Sequence, residues 1–217
     1  FAGKTVLITS GPTYEPIDPV RFIGNYSSGK MGKSIAEVFL AQGANVIFIT
    51  GPTSNIPVGD NLEVVKVKTA AEMHAAALAH FPNSQIAIMA AAVADFTPEV
   101  SSSSKIKREG DNLTLVLKPT KDIAADLGKQ KAPGQVLVGF ALETNNEAQN
   151  AAKKLSVKGL DFIVLNSLND QGAGFGFDTN KITIISKSGE SVPFQLKPKD
   201  QVAADIVDVI YSYQSGS

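Results

Sequence analysis

The chain alternates short, uniformly apolar runs with stretches whose apolar residues recur every three or four positions. TVLITS (5–10) is the first run, β-branched and stopped by Gly11-Pro12, a turn signal. From Met31 to Gln42, Ile35, Val38 and Phe39 fall on one helical face, with Ser27 or Ser28 to cap its start and Gly43 to end it. NVIFIT (45–50) and LEVVKV (62–67) are the next strands. Thr69-Ala70-Ala71-Glu72 then reads as a capping box opening an Ala-rich helix to about His80. QIAIMAAAVAD (85–95) reads as a strand buried on both faces and ending at Asp95, and VLVGFA (136–141) and DFIVLN (161–166) as further parallel-type strands. Between the last two, a helix over 147–158 turns Ala148, Ala151, Ala152 and Leu155 inward. KITIIS and SVPFQL flank Lys187-Ser188-Gly189 as an antiparallel hairpin at a sheet edge. A final helix, about 199–211, buries Val202, Ile206 and Val209 or Ile210.

Strands alternating with helices predict an α/β fold: a doubly wound, mostly parallel, Rossmann-like sheet with helices on both faces and an antiparallel hairpin at one edge. The expected organisation is one domain over 1–217. Residues 97–118 break the rhythm. TPEVSSSS leads into KIKRE, turns at Gly110-Asp111-Asn112 and returns as LTLVLK, a polar linker feeding a hairpin. Few apolar anchors in its first half predict a mobile flap over a site.

Composition narrows the chemistry. The chain of 217 residues is long enough to bury its core without staples, and it has no Cys, so disulfides, thiolate metal sites and a Cys nucleophile are excluded. That absence fits a reducing, cytoplasmic setting. With 20 basic and 21 acidic residues the net charge is −1, which offers no footprint for sequence-independent binding of nucleic acid. No apolar run suits a bilayer span, and no signal peptide is visible. The first residue is Phe1 rather than Met and the end reads SYQSGS, which suggests a domain excised from a longer protein.

In open α/β sheets ligands sit beyond the carboxyl ends of the strands, so the segments that follow strands carry the candidates. GNYSSGKMG (24–32) has two readings. Gly29, Ser27, Ser28 and Lys30 at a helix start make a phosphate cradle, or they are an ordinary serine cap with turn glycines. A Walker A loop is ruled out, because Met31 stands where the magnesium-binding hydroxyl belongs. Tyr26-x-x-x-Lys30 has the spacing of a dehydrogenase pair, but Tyr26 precedes the helix, and SGPTYEP lacks a dinucleotide fingerprint. Asp95 closes an apolar strand and either faces a cleft or caps a helix. Lys105 and Lys107 alternate onto one side of the flap, which for Lys107 reads as a solvated face; Lys154 and Lys158 share a helix face and either flank a polyphosphate or are solvated. Phe140, taken alone, reads as core. His74 and His80, the only histidines, read as surface residues, so a zinc site has no support. What remains is chemistry done by cations, hydroxyls and amides, which suits phosphoryl-type transfer.

ITSGPTYEPIDPVRFIGNYSSGKMG (8–32), AAAVADFTP (90–98), KIK (105–107) and VGFALETNN (138–146) together resemble phosphopantothenoylcysteine synthetase of bacterial type. The match runs in order over nearly the whole chain. The resemblance implies a ligase that joins 4′-phosphopantothenate to L-cysteine through an acyl-cytidylate, with CTP converted to CMP and pyrophosphate and Mg2+ accompanying the nucleotide. By position it implies that Asn25 acts on the acyl-cytidylate and that Lys105 serves formation of that intermediate. Asp95, Phe140, Lys121, Asp122, Ile123, Ala124, Lys154 and Lys158, and Lys105 again, fall on nucleotide-contacting positions. Ser27, Ser28, Gly29 and Lys30 are expected to hold the substrate's phosphate. Where the family often has Pro-Asp-Ile-Val, this chain has Lys121-Asp122-Ile123-Ala124, and Gly24 replaces a frequent Ser. The resemblance also implies a homodimer and a preceding flavin-dependent decarboxylase domain, with no flavin bound by these residues. The rival readings are an NAD(P)-dependent oxidoreductase and a non-catalytic nucleotide-binding module.

Overall fold

The computed structural model describes residues 1–108, 110, 112–143, 147–167 and 177–216. Strand β1 (Thr5–Ser10) is followed by a short ribbon of β2 (Tyr14–Pro16) and β3 (Phe22–Gly24), and then by helix α1 (Lys30–Ala41). Next come β4 (Asn45–Thr50), β5 (Leu62–Lys66) and α2 (Ala70–His80). β6 (Ile86–Met89) returns to the sheet, and β7 (Phe96–Pro98) pairs with β8 (Leu117–Pro119) as a second ribbon. α3 (Ile123–Gln130), β9 (Val136–Glu143), α4 (Glu147–Val157) and β10 (Phe162–Ser167) follow. The chain closes with β11 (Thr179–Asn180), the hairpin of β12 (Ile182–Ser186) and β13 (Ser191–Pro193), β14 (Lys197–Pro198) and α5 (Lys199–Ser215).

The eight-stranded central sheet has the order β13-β12-β10-β9-β6-β1-β4-β5. Its strands from β5 to β10 are parallel, and β12 and β13 add the antiparallel edge. The order reverses beside β1, with β4 and β5 to one side and β6, β9 and β10 to the other. Alternate residues of each strand enter two apolar layers. Val6 and Ile8 pack with Ile35 and Phe39 of α1 and with Val202 and Ile206 of α5. Leu7 packs with Met73 of α2, Leu127 of α3 and Leu155 of α4. Burial on both faces is why the inner parallel strands carry no polar stripe, whereas the edge strand β5 exposes Glu63 and Lys66.

The capping box of α2 is present in both directions, with Glu72 N–H donating to Thr69 Oγ1 at 3.2 Å and Thr69 N–H to Glu72 Oε2 at 3.2 Å. Elsewhere the structure departs from the sequence reading. The N-cap of α1 is Gly29, at φ 74°, because Ser27 and Ser28 use their hydroxyls on the N–H groups of Gly29 and Lys30. The fourth strand stops at Met89 instead of Asp95; beyond it the N–H groups of Ala90 and Ala92 still donate to the Thr9 and Gly11 carbonyls, at 3.1 and 2.9 Å, and Ala92 bridges to Pro12 before the chain leaves the sheet. Ala152 is exposed on α4, while Ala151 and Leu155 are inward, and the Ala148 side chain lies outside the described residues. α5 is longer than expected, ending at Ser215.

The elements not anticipated include the β2–β3 ribbon and α3. The second explains His74, which is buried rather than at the surface: α3 packs on α2 and brings Asp126 to 3.0 Å from His74 Nε2. The flap is also corrected. Its hairpin ladder is confined to the foot, β7 with β8, and the described residues of KIKRE and LTLV form no strand. The Ile106 backbone groups that a ladder would need are bonded to Asp18 and Arg21. Glu109 and Asp111 of this segment, and Thr144 to Asn146 of VGFALETNN, lie outside the described residues.

Candidate functional site

The reversal of strand order opens a crevice beyond the carboxyl ends of the strands, the place where sheets of this kind bind ligands. A cavity of about 360 Å³ sits there, where β1, β6 and β9 present Thr9, Met89 and Phe140. Asp95 lines it from the segment after β6, and Lys121, Asp122, Ile123 and Ala124 from the turn that starts α3. Lys154 and Lys158, from the end of α4, complete the opposite wall. Eight of the nine residues read as nucleotide-contacting therefore line one cleft, although they come from four separate stretches of chain; the ninth, Lys105, does not.

Local hydrogen bonds explain how these stretches are held. Thr120 Oγ1 donates to the Ala94 carbonyl at 2.7 Å and Thr120 N–H to the Asp95 carbonyl at 2.9 Å, so the turn before α3 is stapled beside Asp95. The Ala94 N–H donates to Thr13 Oγ1 at 3.0 Å from the other side. Asp122 caps α3, its Oδ1 accepting from the Ala125 N–H at 3.1 Å, while its Oδ2 meets Lys158 Nζ at 2.9 Å across the cleft. Ile123, the next residue, is buried beneath the turn and anchors it to the core. Phe140 is half-buried, one side in the apolar layer and one edge in the cleft.

Asn25 and Lys105 do not line this cavity. Asn25 follows β3 and joins the rim through Val93, whose carbonyl accepts from Asn25 Nδ2 at 2.9 Å. Lys105 is exposed, and its ammonium forms no ion pair among the described residues. Its neighbour Ile106 is gripped by the turn between β2 and β3. Asp18, whose side chain is fully buried, accepts from the N–H groups of Val20, Arg21 and Ile106. Burial alone would push the Asp18 carboxyl up, but those three N–H groups and the Arg21 guanidinium outweigh it and hold it down to about 2. Sequence reading did not single out Asp18 or Arg21. The spacing Asp-Pro-x-Arg marks a turn, but nothing local announces a partner 85 residues away.

The residues expected to hold a phosphate occupy a neighbouring position. Gly29 stands at the start of α1, where its left-handed conformation brings Ser27 and Ser28 round the first turn. Gly32, one turn on, lies so close to β1 that a Cβ there would sit 2.3 Å from Ser10 Oγ. Lys30 forms an ion pair with Asp178 and lines a separate cavity of about 310 Å³ with Lys33, Asn55 and Lys199. Burial, and then the Lys30 charge, push the Lys199 ammonium down. Asn166 was not assigned a role from sequence. It is the penultimate residue of β10, and its buried Oδ1 has no hydrogen-bond partner among the described residues.

A larger cavity of about 600 Å³, between the β12–β13 hairpin and α5, contains none of the expected residues. It opens where β10 begins and β12 ends, the amino-terminal side of the parallel strands, away from the switch point.

Fold and cleft together define a doubly wound α/β protein with a charged crevice at its switch point. The chain belongs to the DNA/pantothenate metabolism flavoprotein C-terminal domain family, whose model it matches over residues 1–213. It is 46% identical over 208 residues to the coenzyme A biosynthesis bifunctional protein CoaBC of Bacillus subtilis (strain 168), covering 96% of this chain and 51% of that protein. It is 55% identical over 205 residues to a protein of an unknown prokaryotic organism named cysteine/cysteine sulfinic acid decarboxylase, covering 94% of this chain and 57% of that protein. The chain thus spans about half the length of these curated relatives. The crystal structure of the C-terminal domain of a CoaBC protein superposes with a TM-score of 0.85 at 39% identity, covering 100% of this chain and 98% of that one.

Proposed function

We propose that this chain is a CTP-dependent phosphopantothenate–cysteine ligase of the cytoplasm. A carboxylate oxygen of 4′-phosphopantothenate attacks the α-phosphate of CTP. The bond to pyrophosphate breaks, and an acyl-cytidylate forms. The amine of L-cysteine then attacks the acyl carbon, an amide forms, CMP leaves and the amine loses its proton. The observation that carries this reading is the cleft itself, which gathers Asp95, Phe140, the turn 121–124, Lys154 and Lys158 at the switch point. Neither half-reaction requires a protein nucleophile, which suits a site of cations, amides and backbone groups.

In this reading the cleft takes the nucleotide, Lys105 offsets charge building on the phosphate as pyrophosphate departs, and the Asn25 amide holds the mixed anhydride without attacking it. Ser27, Ser28, Gly29 and Lys30 hold the phosphate of the substrate. Magnesium arrives with the nucleotide. Among the described residues no three His, Cys, Asp or Glu side chains cluster to hold a cation, and Mg2+ commonly binds through phosphates with one or two carboxylates, here Asp95 and Asp122.

A homodimer is supported by an exposed apolar ridge. β2 lies against β7, and Val20, Phe22, Phe96, Val100 and Leu117 of the two ribbons are exposed, Phe22 at 48% and Phe96 at 52%. A fused decarboxylase domain is supported by the twofold length of the relatives and by the decarboxylase name of one of them. Nucleic acid is not a partner in this reading. Among the described residues no helix is long and apolar enough to cross a membrane.

The test is pyrophosphate release from CTP with 4′-phosphopantothenate, with and without cysteine. Release without cysteine, and amide formation with it, is the expected result. Binding of CTP without release would leave a nucleotide-binding module. A rise in melting temperature with NADPH and none with CTP would favour an oxidoreductase instead.

A further inference from the structure

The turn between β2 and β3 does more than reverse the chain. Within it, Asp18 Oδ1 accepts from the N–H groups of Val20 and Arg21, each at 2.8 Å, and the Arg21 carbonyl accepts from the Ile17 N–H at 2.9 Å. This leaves Asp18 Oδ2 facing outward, where it accepts from the Ile106 N–H at 3.1 Å and pairs with Arg21 Nη2 at 2.6 Å. The same Nη2 donates to the Ile106 carbonyl at 2.6 Å. Both peptide planes that flank the Ile106 Cα are therefore bonded to one ion pair, whose carboxylate is buried and whose guanidinium is partly exposed, and the first of those planes carries the carbonyl of Lys105. A further bond, from the Ser102 N–H to the Ile17 carbonyl at 2.9 Å, ties the stretch down four residues earlier. Around this anchor the loop is exposed at Ser103, Ser104, Lys105, Lys107 and Arg108, with Ile106 alone half-buried.

We propose that Asp18 is the positioning residue for Lys105: by locking the Ile106 peptide it fixes the backbone from which the Lys105 ammonium reaches the reacting phosphate. The catalytic part of this inference rests on the ligase reading above; the clamp itself does not. Asp18 touches neither nucleotide nor substrate in this role. Its effect passes through the order of a loop that has no strand ladder of its own between residues 101 and 108. A lysine on such a loop is useful only if its backbone is placed before the nucleotide arrives, since a misplaced group loses most of its effect on the transition state. Asp18 is suited to the task because its carboxylate has acceptor sites enough for the turn and the loop together, whereas a neutral amide has a single acceptor atom.

Asp18→Asn separates these roles. The amide keeps one oxygen for the turn and then places two N–H donors against the Ile106 N–H and Arg21. Asp18→Ser keeps an acceptor for the turn but is too short to reach Ile106. In the wild-type protein the Ile106 amide proton is expected to exchange more slowly than those of Ser103 and Lys107. In either variant it is expected to exchange like them, and trypsin is expected to cut after Lys105, Lys107 or Arg108 faster. The rate constant kcat for pyrophosphate release is expected to fall about 10- to 100-fold while KM for CTP changes by less than about threefold. An unprotected Ile106 amide in the wild type overturns the clamp. Unchanged kcat in a folded variant, or a loss in kcat matched by an equal rise in KM, overturns the positioning role. If the wild type releases no pyrophosphate, the ligase reading fails instead, and exchange and cleavage still decide the clamp.

Discussion

Asn25 donates its Nδ2 to the carbonyl of Val93 at 2.9 Å, so the loop before α1 is tied to the wall of the cleft by an amide. The bond uses the donor half of the side chain and leaves Oδ1 as an acceptor. Asn25→Asp replaces the donor by a second acceptor facing the Val93 carbonyl, and it adds negative charge near the phosphates. We expect pyrophosphate still to be released while amide formation falls about 100-fold, so that acyl-cytidylate accumulates. Rapid quenching and separation of the intermediate measures this directly.

Lys105→Gln removes the charge and keeps a polar donor on a side chain one bond shorter. Pyrophosphate release is expected to drop at least about 100-fold, the scale on which loss of one preorganised charge-stabilising group is felt. Thermal stability is expected to stay the same, because Lys105 is exposed and its backbone neighbour, rather than its ammonium, is anchored. A variant that turns over normally would remove Lys105 from the mechanism.

The clamp at Ile106 has a defined acid limit. Burial raises the Asp18 carboxyl, but hydrogen bonds from three N–H groups and Arg21 prevail and hold it at about 2, below its ordinary 3.8. A group lowered on folding stabilises the native state above its unfolded value and loses that contribution as pH falls through the folded one. Protection of the Ile106 amide is therefore expected to hold from neutrality to about pH 4 and to disappear between about pH 4 and 2. Loss of protection near neutrality would contradict this assignment.

Gly32 sets how closely α1 approaches β1. A Cβ there would lie 2.3 Å from Ser10 Oγ and 2.6 Å from Ser10 Cβ, and Ser10 is itself fixed by donating to the Gly29 carbonyl at 3.2 Å. Gly32→Ala must push the start of the helix away from the strand. The expected cost is about 1–3 kcal/mol in denaturant unfolding, typical of overpacking, together with weaker binding of phosphate ligands at the displaced turn.

Much of the fold was legible because strands buried on both faces read as unbroken apolar runs, and Thr69 and Glu72 signal a helix start locally. The failures share one cause, partners distant in sequence. Lys105-Ile106-Lys107 alternates like a strand, yet its backbone groups are taken by Asp18 and Arg21. Ala90 to Ala94 is as apolar as a strand, but at Ala94 the backbone groups go to the side chains of Thr13 and Thr120 instead of to a neighbouring strand. α3 buries only Ile123 and Leu127, too few positions to show a period, and without it the partner of His74 was invisible. For the site, the family resemblance assigned residues to a nucleotide, and the spacing of Lys154 and Lys158 left a solvated face equally open. The fold decides only that they share a cleft with Asp95 and Phe140.

The pair of Lys158 with Asp122 gives that cleft a threshold. Because Lys158 is already matched by a carboxylate at 2.9 Å, an anionic ligand that reaches its ammonium competes there with Asp122. Binding is then an exchange of one anion for another, and the displaced carboxylate keeps its hold on the Ala125 N–H through its other oxygen. Both partners are partly exposed, so the barrier is low, but it tilts the competition toward a multiply charged ligand and away from a weakly charged one.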